Sequence, residues 1–228
     1  MSNYQHKPEV FEVSDTNQLY LTSDLHFFHK RIVEFTGRPT TFENLNEWII
    51  TQCNNKIPKP KQGKKVTTIH LGDFAFSCTN EQLEEIILSL NGDWWFILGN
   101  HDSAGKLISA INKINAETGS NHRLLGWYYR LLVTKQPVDK TKKKSKKLVI
   151  LCHFPIEDWE SKHYNSAMIH GHVHGGSSDH DGHGLSRIPN RFDVGIDNSH
   201  TWSPFSYDDL RIILRKTRGE DKDVRVSS

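Results

Sequence analysis

Five apolar, β-prone runs each end in a polar group, and this pattern constrains the fold of the chain most strongly. The runs are "LYLTSDLH", "VTTIHLGD", "WWFILGNHD", "LVILCHFP" and "AMIHGHVH", which begin at Leu19, Val66, Trp94, Leu148 and Ala167. Nearly continuous apolar runs of this length are typical of buried strands. Because ligands of open α/β sheets bind beyond the carboxyl ends of the strands, we expect the five polar ends to face one site.

Helical patterns separate the early strands. The stretch "TTFE" has capping-box spacing in front of one amphipathic run, which predicts a helix beginning there. "TNEQLEEIILSLNG" is the clearest helix, because Thr79 or Asn80 can cap it and its apolar residues follow helical spacing. A third helix is expected to include Leu107, Ile111 and Ile114.

The later half of the chain is richer in strand patterns. "GWYYRLLV" and "KKLVILC" are predicted to form a hairpin across a basic loop at 136–147, and "RFDVGID" and "LRIILRK" are predicted to add strands. Strand–helix alternation followed by these strands predicts an α/β fold. The length fits one domain over 1–228, with an N-terminal lead-in at 1–17 and a charged tail at 217–228.

Composition restricts the compartment and the partners. The net charge of +2 argues against nucleic-acid binding driven by overall charge. Three widely spaced cysteines suggest reduced thiols. The N-terminal residues have no apolar segment like that of a signal peptide, and no run is long enough to cross a membrane. We therefore expect a cytoplasmic protein.

The polar ends of the five strands offer the ligand types of a transition-metal site. They form an ordered series: D-x-H with Asp24 and His26, G-D with Asp73, G-N-H-D with Asn100 and His101, then His153, and G-H-x-H with His172 and His174. Mixed carboxylate and imidazole ligands suit Mn, Fe, Zn, Co or Ni better than Mg or Ca. The absence of cysteine from the series argues against a structural zinc site.

This ordered series resembles the motifs of the calcineurin-like metallophosphoesterases. The flanking text "SDLHFFHKRIVEFTGRP", "HLGDFAF" and "NRFDVGIDN" is similar to a small single-domain group found in bacteria and phages. The resemblance implies a four-layer α/β/β/α sandwich with two mixed sheets flanked by helices. It also implies two adjacent divalent metal ions, with manganese favoured. One ion would be held by Asp24, His26, Asp73 and His174, and the other by Asp73, Asn100, His153 and His172.

Two residues next to Asn100 are candidates for catalysis. The resemblance assigns His101 to stabilise the developing charge and protonate the leaving oxygen, which an imidazole can do near neutral pH. Asp102 either orients the ring of His101 or lies at the N-terminus of the helix that follows.

Most of the other basic residues near the motifs have more than one interpretation. His29 contacts the substrate phosphate, orients a ligand, or lies at the surface at a helix start. Arg38 and Arg191 contact the phosphate or are ordinary solvent-exposed arginines. His170 is expected to pack beside the site. His180 and His183 are expected to lie in a solvated loop, with extra metal binding as the alternative.

The motif variants favour one reaction over its alternatives. "GNHD" is the form typical of the phosphodiesterase and nuclease branches of the family, whereas the protein-phosphatase branch has GNHE and an arginine soon after G-D. The sequence after Asp73 is "FAFSC", without that arginine. We therefore expect a phosphodiesterase acting on nucleotides, cyclic nucleotides or nucleic-acid ends. The alternatives are a phosphomonoesterase, including a protein phosphatase, and a non-catalytic metal or nucleic-acid binding module.

The lysine-rich run "KTKKKSKK" leaves the question of a nucleic-acid partner open. Its charges suit contact with a phosphate backbone, a reading supported by "KIPKPKQGKK" earlier in the chain. The other interpretation is a solvated hairpin tip whose charges prevent edge pairing. The oligomeric state does not follow from the sequence.

Overall fold

The described residues form two five-stranded sheets and five α-helices. The structure is a computed structural model that describes residues 7–137, 141, 143–175 and 187–220. The strands are β1 (Glu9–Val13), β2 (Asn17–Thr22), β3 (Lys65–Leu71), β4 (Asp93–Ile97), β5 (Arg123–Gly126), β6 (Tyr128–Lys135), β7 (Ser145–Cys152), β8 (Ala167–His170), β9 (Arg191–Asp193) and β10 (Phe205–Ser206). The helices are α1 (Ile32–Thr36), α2 (Leu45–Lys56), α3 (Asn80–Ser89), α4 (Ala104–Thr118) and α5 (Tyr207–Thr217).

Both sheets are mixed. The first has the order β1-β6-β7-β8-β9, and the second has the order β10-β2-β3-β4-β5. The pairs β6–β7 and β10–β2 are antiparallel, whereas the other neighbours are parallel. The predicted hairpin of "GWYYRLLV" and "KKLVILC" is confirmed as β6–β7. Of its connection, residues 138–140 and 142 lie outside the described part of the chain.

The hydrophobic core forms layers. One cluster lies between the sheets, where Ile69 and Ile97 of the second sheet meet Leu131 and Leu151 of the first, together with Leu210 of α5. A second cluster packs α1 to α4 against the other face of the second sheet. On the outer face of the first sheet, a small cluster joins its strands to the connection at 155–166, which contains one 3-10 turn. The predicted α/β class with two mixed sheets and flanking helices is confirmed.

The prediction of a strand at "LRIILRK" is wrong, because these residues lie in α5. Ser206 caps this helix, and its hydroxyl and the carboxylate of Asp209 form a reciprocal capping box. Leu210, Ile213 and Leu214 are buried at helical spacing. The segment forms no strand, because the cap and the 3.6-residue period of its apolar residues both favour a helix.

The prediction of a capping box at "TTFE" is also wrong. The helix begins at Leu45, five residues after Thr40, and Asn44 caps it without a side-chain hydrogen bond. The amide of Thr40 instead donates to the carbonyl of Arg38 in a turn. The other two predicted helices are confirmed: α3 has a capping box between Thr79 and Gln82, and α4 spans the predicted third apolar stripe.

The ends of the chain hold more structure than the predicted lead-in and tail suggested. Strand β1 lies inside 1–17 and pairs in parallel with β6, and α5 reaches residue 217 of the tail. Residues 221–228 lie outside the described residues. Among the described residues, no helix combines the length and the apolar composition needed to cross a membrane.

Candidate metal centre

The polar ends of strands from both sheets meet through backbone hydrogen bonds. In the second sheet, the amide of Asp24 donates to the carbonyl of Gly72 over 3.0 Å, so the loops after β2 and β3 run side by side. In the first sheet, the amide of Gly171 donates to the carbonyl of His153 over 3.0 Å. The amide of His172 then donates to Asp24 Oδ2 over 3.0 Å and joins the two halves.

Asp24, His26 and His174 form the first group of side chains able to hold a metal ion. Their ligand atoms lie within 4.8 Å of one another. Nε2 of His26 is 3.9 Å from Asp24 Oδ1, and Nε2 of His174 is 3.8 Å from the same oxygen. The two imidazole rings stack with their centroids 5.3 Å apart.

Asp73, His153 and His172 form the second such group. Nδ1 of His153 donates to the carbonyl of Leu71, so Nε2 of a neutral ring carries a lone pair. That nitrogen lies 3.4 Å from Asp73 Oδ2, 3.1 Å from Asn100 Oδ1 and 3.2 Å from His172 Nδ1. Several lone pairs converging on one point are stabilised by a cation placed among them.

Asp73 lies between the two groups. Its Oδ2 atom is 3.7 Å from His26 Nε2 on one side and 3.4 Å from His153 Nε2 on the other. Its Oδ1 atom accepts a hydrogen bond from the backbone amide of His101 over 2.9 Å, which fixes the plane of the carboxylate. One carboxylate within reach of both groups is the arrangement that two-metal hydrolases use to hold cations about 3.5–4 Å apart.

The residues present fit a pair of divalent cations. His26 is 4% exposed, and neither nitrogen of its ring has a hydrogen-bond partner. An unsatisfied buried imidazole is costly unless a ligand completes it. Burial also lowers the pKa of His26 to about 2, so its ring is neutral and retains a lone pair.

The charges in the centre favour a bound cation. Burial raises the pKa of Asp24 to about 7, against the opposing charge of His174. Burial also opposes ionisation of Asp73, but its hydrogen bond with His153 and that ring's charge hold the Asp73 pKa below its usual value. Burial disfavours protonation of His153 and His174, yet their carboxylate partners raise both pKa values. This negative potential attracts protons and metal cations alike.

Five of the seven predicted ligand residues have a left-handed backbone. These are Asp24, His26, Asp73, His172 and His174, with φ values of 57°, 54°, 60°, 75° and 48°. The left-handed region costs an L-residue roughly 1–2 kcal/mol. Strain that recurs at three of the five motifs is typical of a functional site, since the surrounding fold must impose it.

Arg38, for which a contact with substrate was one interpretation, is instead buried and stabilises the loop that carries Asp24. It is 3% exposed, and its guanidinium donates to Asp197 and to the backbone carbonyls of Asp24 and Leu25. Asp197 in turn accepts a hydrogen bond from Nδ1 of His174 over 2.5 Å. This contact orients the ring and directs Nε2 toward the first group. The arginine–aspartate pair was not anticipated, because the partners are 159 positions apart.

Of the other basic residues, those that the structure describes lie in the interior or at the rim of the centre. Arg191 lies on β9 and is 2% exposed, so the interpretation of an ordinary solvent-exposed arginine is wrong, and its contact with the phosphate stays a prediction. His29 lies at the rim, with its ring centroid 5.3 Å from that of His26, and its contact with substrate stays a prediction. His170 is buried, with Nδ1 bonded to the carbonyl of Gly171. His180 and His183 lie outside the described residues.

His101 lies at the open side of the centre, whereas Asp102 faces the backbone. The side chain of His101 is 40% exposed, and its Nε2 atom is 4.0 Å from Asp73 Oδ2. The carboxylate of Asp102 accepts hydrogen bonds from the amides of Asp73, Phe74 and Gly99, each over 2.8 Å. The interpretation of Asp102 as the residue that orients His101 is therefore corrected: it joins the loops after β3 and β4.

We expect Asp102→Ala to destabilise the protein by about 3 kcal/mol or more, since three backbone donors lose their acceptor. Urea unfolding at neutral pH measures this loss. The exposed Asp158 provides the matched control, and Asp158→Ala is expected to change stability by less than about 0.5 kcal/mol. A variant of Asp102 with unchanged stability and a selective fall in kcat would instead support orientation of His101.

Comparison with known proteins agrees with this geometry. The family described as calcineurin-like phosphoesterase matches residues 18–176, which include every residue of the two groups. The chain belongs to this family. Its domain is accordingly that of a metal-dependent phosphoester hydrolase.

Two similar proteins carry no assigned activity in their names. The uncharacterized protein MJ1445 of Methanocaldococcus jannaschii is 33% identical over 96 residues, or 41% of this calcineurin-like phosphoesterase and 52% of that protein. The chain thus matches about half the length of this curated relative. The crystal structure of the protein of unknown function AQ665 from Aquifex aeolicus shares the fold, with a TM-score of 0.58 and 19% identity. That comparison covers 86% of this chain and 99% of the other.

Proposed function

We propose that this protein is a dinuclear metal-dependent phosphodiesterase that acts on nucleotides, cyclic nucleotides or nucleic-acid ends. The observation that carries the proposal is the position of Asp73 Oδ2, which lies within 3.7 Å of His26 in one group and 3.4 Å of His153 in the other. Asp24, His26, Asp73 and His174 would hold one cation, and Asp73, Asn100, His153 and His172 would hold the second.

The side chains around the cations divide the remaining work. When bound, two divalent cations neutralise phosphate charge and increase the acidity of a water molecule. Asp197 and the Leu71 carbonyl keep the ligand nitrogens of His174 and His153 directed inward. His101, which is exposed at the open side and lies 4.0 Å from Asp73, would donate a proton to the leaving oxygen.

The surroundings of His101 favour a diester over a monoester. A monoester carries more negative charge and gains more from a free cation near the phosphate. The ring of Phe76, which is uncharged, packs against His101 at 5.3 Å, and Arg38 is buried behind the ligands. Neither residue therefore offers a free cation to a monoester. A phosphomonoesterase remains the second candidate, because Lys106 and His101 line the same small cavity. The Lys106 ammonium, however, already donates to the carbonyl of Cys78 over 2.6 Å.

The donor set and the cysteines support two further proposals. We propose manganese as the metal, since carboxylate, amide and imidazole ligands together suit Mn, with Fe, Zn, Co and Ni as the alternatives. We propose a cytoplasmic location, supported by the three cysteines, which are all free and buried.

Nucleic-acid contact by the lysine loop stays a prediction. Among its described residues, Lys144 pairs with Glu12 and Lys147 donates to Asn165 and Asn190, which leaves less charge for a phosphate backbone. Binding to an oligonucleotide that weakens steeply as salt rises would support a role for this loop.

We expect hydrolysis of bis-p-nitrophenyl phosphate in Mn²⁺ to exceed that of p-nitrophenyl phosphate, and EDTA to abolish both. His101→Ala is expected to lower kcat about 10²–10⁴-fold, since the variant loses a positioned proton donor. Its bound metal, measured by inductively coupled plasma mass spectrometry, is expected to equal that of wild type.

The exposed His163 provides the control, and His163→Ala is expected to retain wild-type turnover. Full metal content without turnover of either compound would contradict the enzyme and favour the binding module. Faster turnover of the monoester would contradict the preference for diesters.

A further inference from the structure

A line of aromatic rings leads from His101 to the protein surface. The ring of Phe76 is 5.3 Å from that of His101, and the ring of His29 is 4.7 Å from that of Phe76. The ring of Phe35 follows at 6.3 Å from His29. The guanidinium of Arg31 lies 4.6 Å over the ring of Phe35. The line thus begins at the proposed proton donor and ends in a positive charge.

The outer part of this line is open to solvent and firmly attached to the fold. Phe35 is 61% exposed, although it is a large apolar side chain. It lies on α1, whose Ile32 is buried in the core cluster with Leu25 and Phe27 from the loop after β2. The helix is therefore held at the rim of the metal centre, and its exposed ring is placed there by the fold.

The position of the rings relative to His101 identifies what they would contact. If His101 protonates the leaving oxygen, the group attached to that oxygen lies on the same side of the phosphate. Apart from the ring of the ligand residue His26, at 5.7 Å, the described rings nearest to His101 are those of Phe76, at 5.3 Å, and His29, at 6.5 Å. A nucleoside attached to the leaving oxygen would therefore come within reach of these two rings.

We propose that Phe76, His29 and Phe35 form a stacking shelf for the nucleobase of the leaving nucleoside. This inference rests on the proposed phosphodiesterase function. Aromatic side chains bind bases of every sequence through their π faces, with a contribution from arginine. The ring of His29 is inclined by 55° to that of Phe76 and by 60° to that of Phe35, so a base would stack on the face of one ring and meet the edges of the others.

The charge of Arg31 makes a nucleic-acid strand the occupant that the shelf fits best. Its partner within reach is Glu34, at 3.6 Å, and both side chains are about 70% exposed. Such a surface pair is weak, so the guanidinium is available to a phosphate beyond the stacked base. An acyl chain would gain from the apolar rings but not from an exposed cation beside them.

The test compares substrates that differ only by one base. The dinucleotide dTpdT is matched with two analogues in which the 5′ or the 3′ nucleoside has a tetrahydrofuran in place of its base. The leaving alkoxide is the same in each pair, so a difference in kcat/KM reports contact with the base. Wild type in Mn²⁺ is expected to cleave dTpdT about tenfold or more faster than the analogue lacking the leaving base.

Variants connect this preference to the shelf. Phe35→Ala is expected to lower kcat/KM for dTpdT about tenfold and to leave the rate on the analogue lacking the leaving base unchanged, whereas Phe35→Trp preserves stacking and the rate on dTpdT. Phe42 is the control, because it is 39% exposed and makes no ring contact to the shelf among the described residues. Phe42→Ala is expected to match wild type on all three substrates.

The outcomes separate this inference from the proposed function. Equal losses for Phe35→Ala on dTpdT and on the analogue without the leaving base would overturn the shelf while leaving the diesterase intact. Wild-type turnover indifferent to both bases would overturn it too. Absence of cleavage of all three diesters, with hydrolysis of p-nitrophenyl phosphate intact, would overturn the proposed function and the shelf together.

Discussion

The Asp73→Asn variant is expected to lose hydrolysis of bis-p-nitrophenyl phosphate by at least about a thousandfold. Asp73 lies within reach of both ligand groups, at 3.7 Å from His26 Nε2 and 3.4 Å from His153 Nε2. An amide has neither the charge nor the second acceptor oxygen to hold two cations. Metal ions contribute several kcal/mol to such reactions, and each 1.36 kcal/mol is a tenfold change in rate.

Metal content distinguishes the reasons for this loss. We expect Asp73→Asn to bind at most one equivalent of Mn²⁺, measured by mass spectrometry after gel filtration, while wild type binds two. Asp15→Asn, in an exposed turn, is expected to match wild type in metal content and rate. Two equivalents of metal and full activity in the Asp73 variant would contradict the shared-carboxylate centre.

The Gly171→Ala variant is expected to destabilise the protein by about 3 kcal/mol, because overpacking at a rigid position forces backbone shifts. A Cβ atom at this position would lie 1.9 Å from Ser23 Oγ and 2.3 Å from Asp24 Oδ2. Ser23 cannot move cheaply, because its hydroxyl donates to the carbonyl of Leu71 over 2.9 Å. The expected fall in Tm, measured by calorimetry, is roughly 6–12 °C.

Gly105→Ala is the matched control for this substitution. Gly105 lies in α4 with nothing within 4 Å of the added methyl group. Alanine in a helix is more stable than glycine by roughly 0.5–1 kcal/mol, so Tm is expected to rise slightly. A Gly171 variant as stable as the Gly105 variant would show that the loops of the centre adjust freely.

Much of the site was predictable because its residues follow strands. The alternating strand and helix patterns predict where Asp24, Asp73 and Asn100 leave the second sheet, and parallel strands bring such ends together. All three lie after β2, β3 and β4, which are neighbours in the sheet. The inference needed only the local pattern and the general geometry of parallel sheets.

The roles of Arg38, Asp102 and Arg191 were not predictable in this way. A charged residue near a motif looks the same in the sequence whether it meets substrate or a buried partner. Arg38 is paired with Asp197, and Asp102 binds amides of two loops. Arg38 and Asp197 are 159 positions apart, and Asp102 and Asp73 are 29 positions apart, so no local pattern encodes these contacts. Arg191 is buried on the short strand β9, which pairs with β8.

In helix α5, the residue composition favours a strand, whereas the capping residues and the apolar period favour a helix. The run "LRIILRK" is rich in β-branched residues, which favour strands. The capping residues Ser206 and Asp209 and the apolar period favour a helix, and the buried face contacts the core between the sheets. Packing against both sheets selects the helix, because only one face of the segment is apolar.

By itself, the order of amino acids determined the α/β alternation, the strand-end motifs and the chemical type of the ligands. These features depend on interactions within a few residues of one another, which a sequence displays directly. Only the tertiary structure decided that Asp73 lies between two ligand groups, that Arg38 and Asp102 face inward, and that Phe35 extends the ring line from His101. Such contacts depend on how two sheets pack, and the packing is set by the summed burial of many side chains rather than by any short segment.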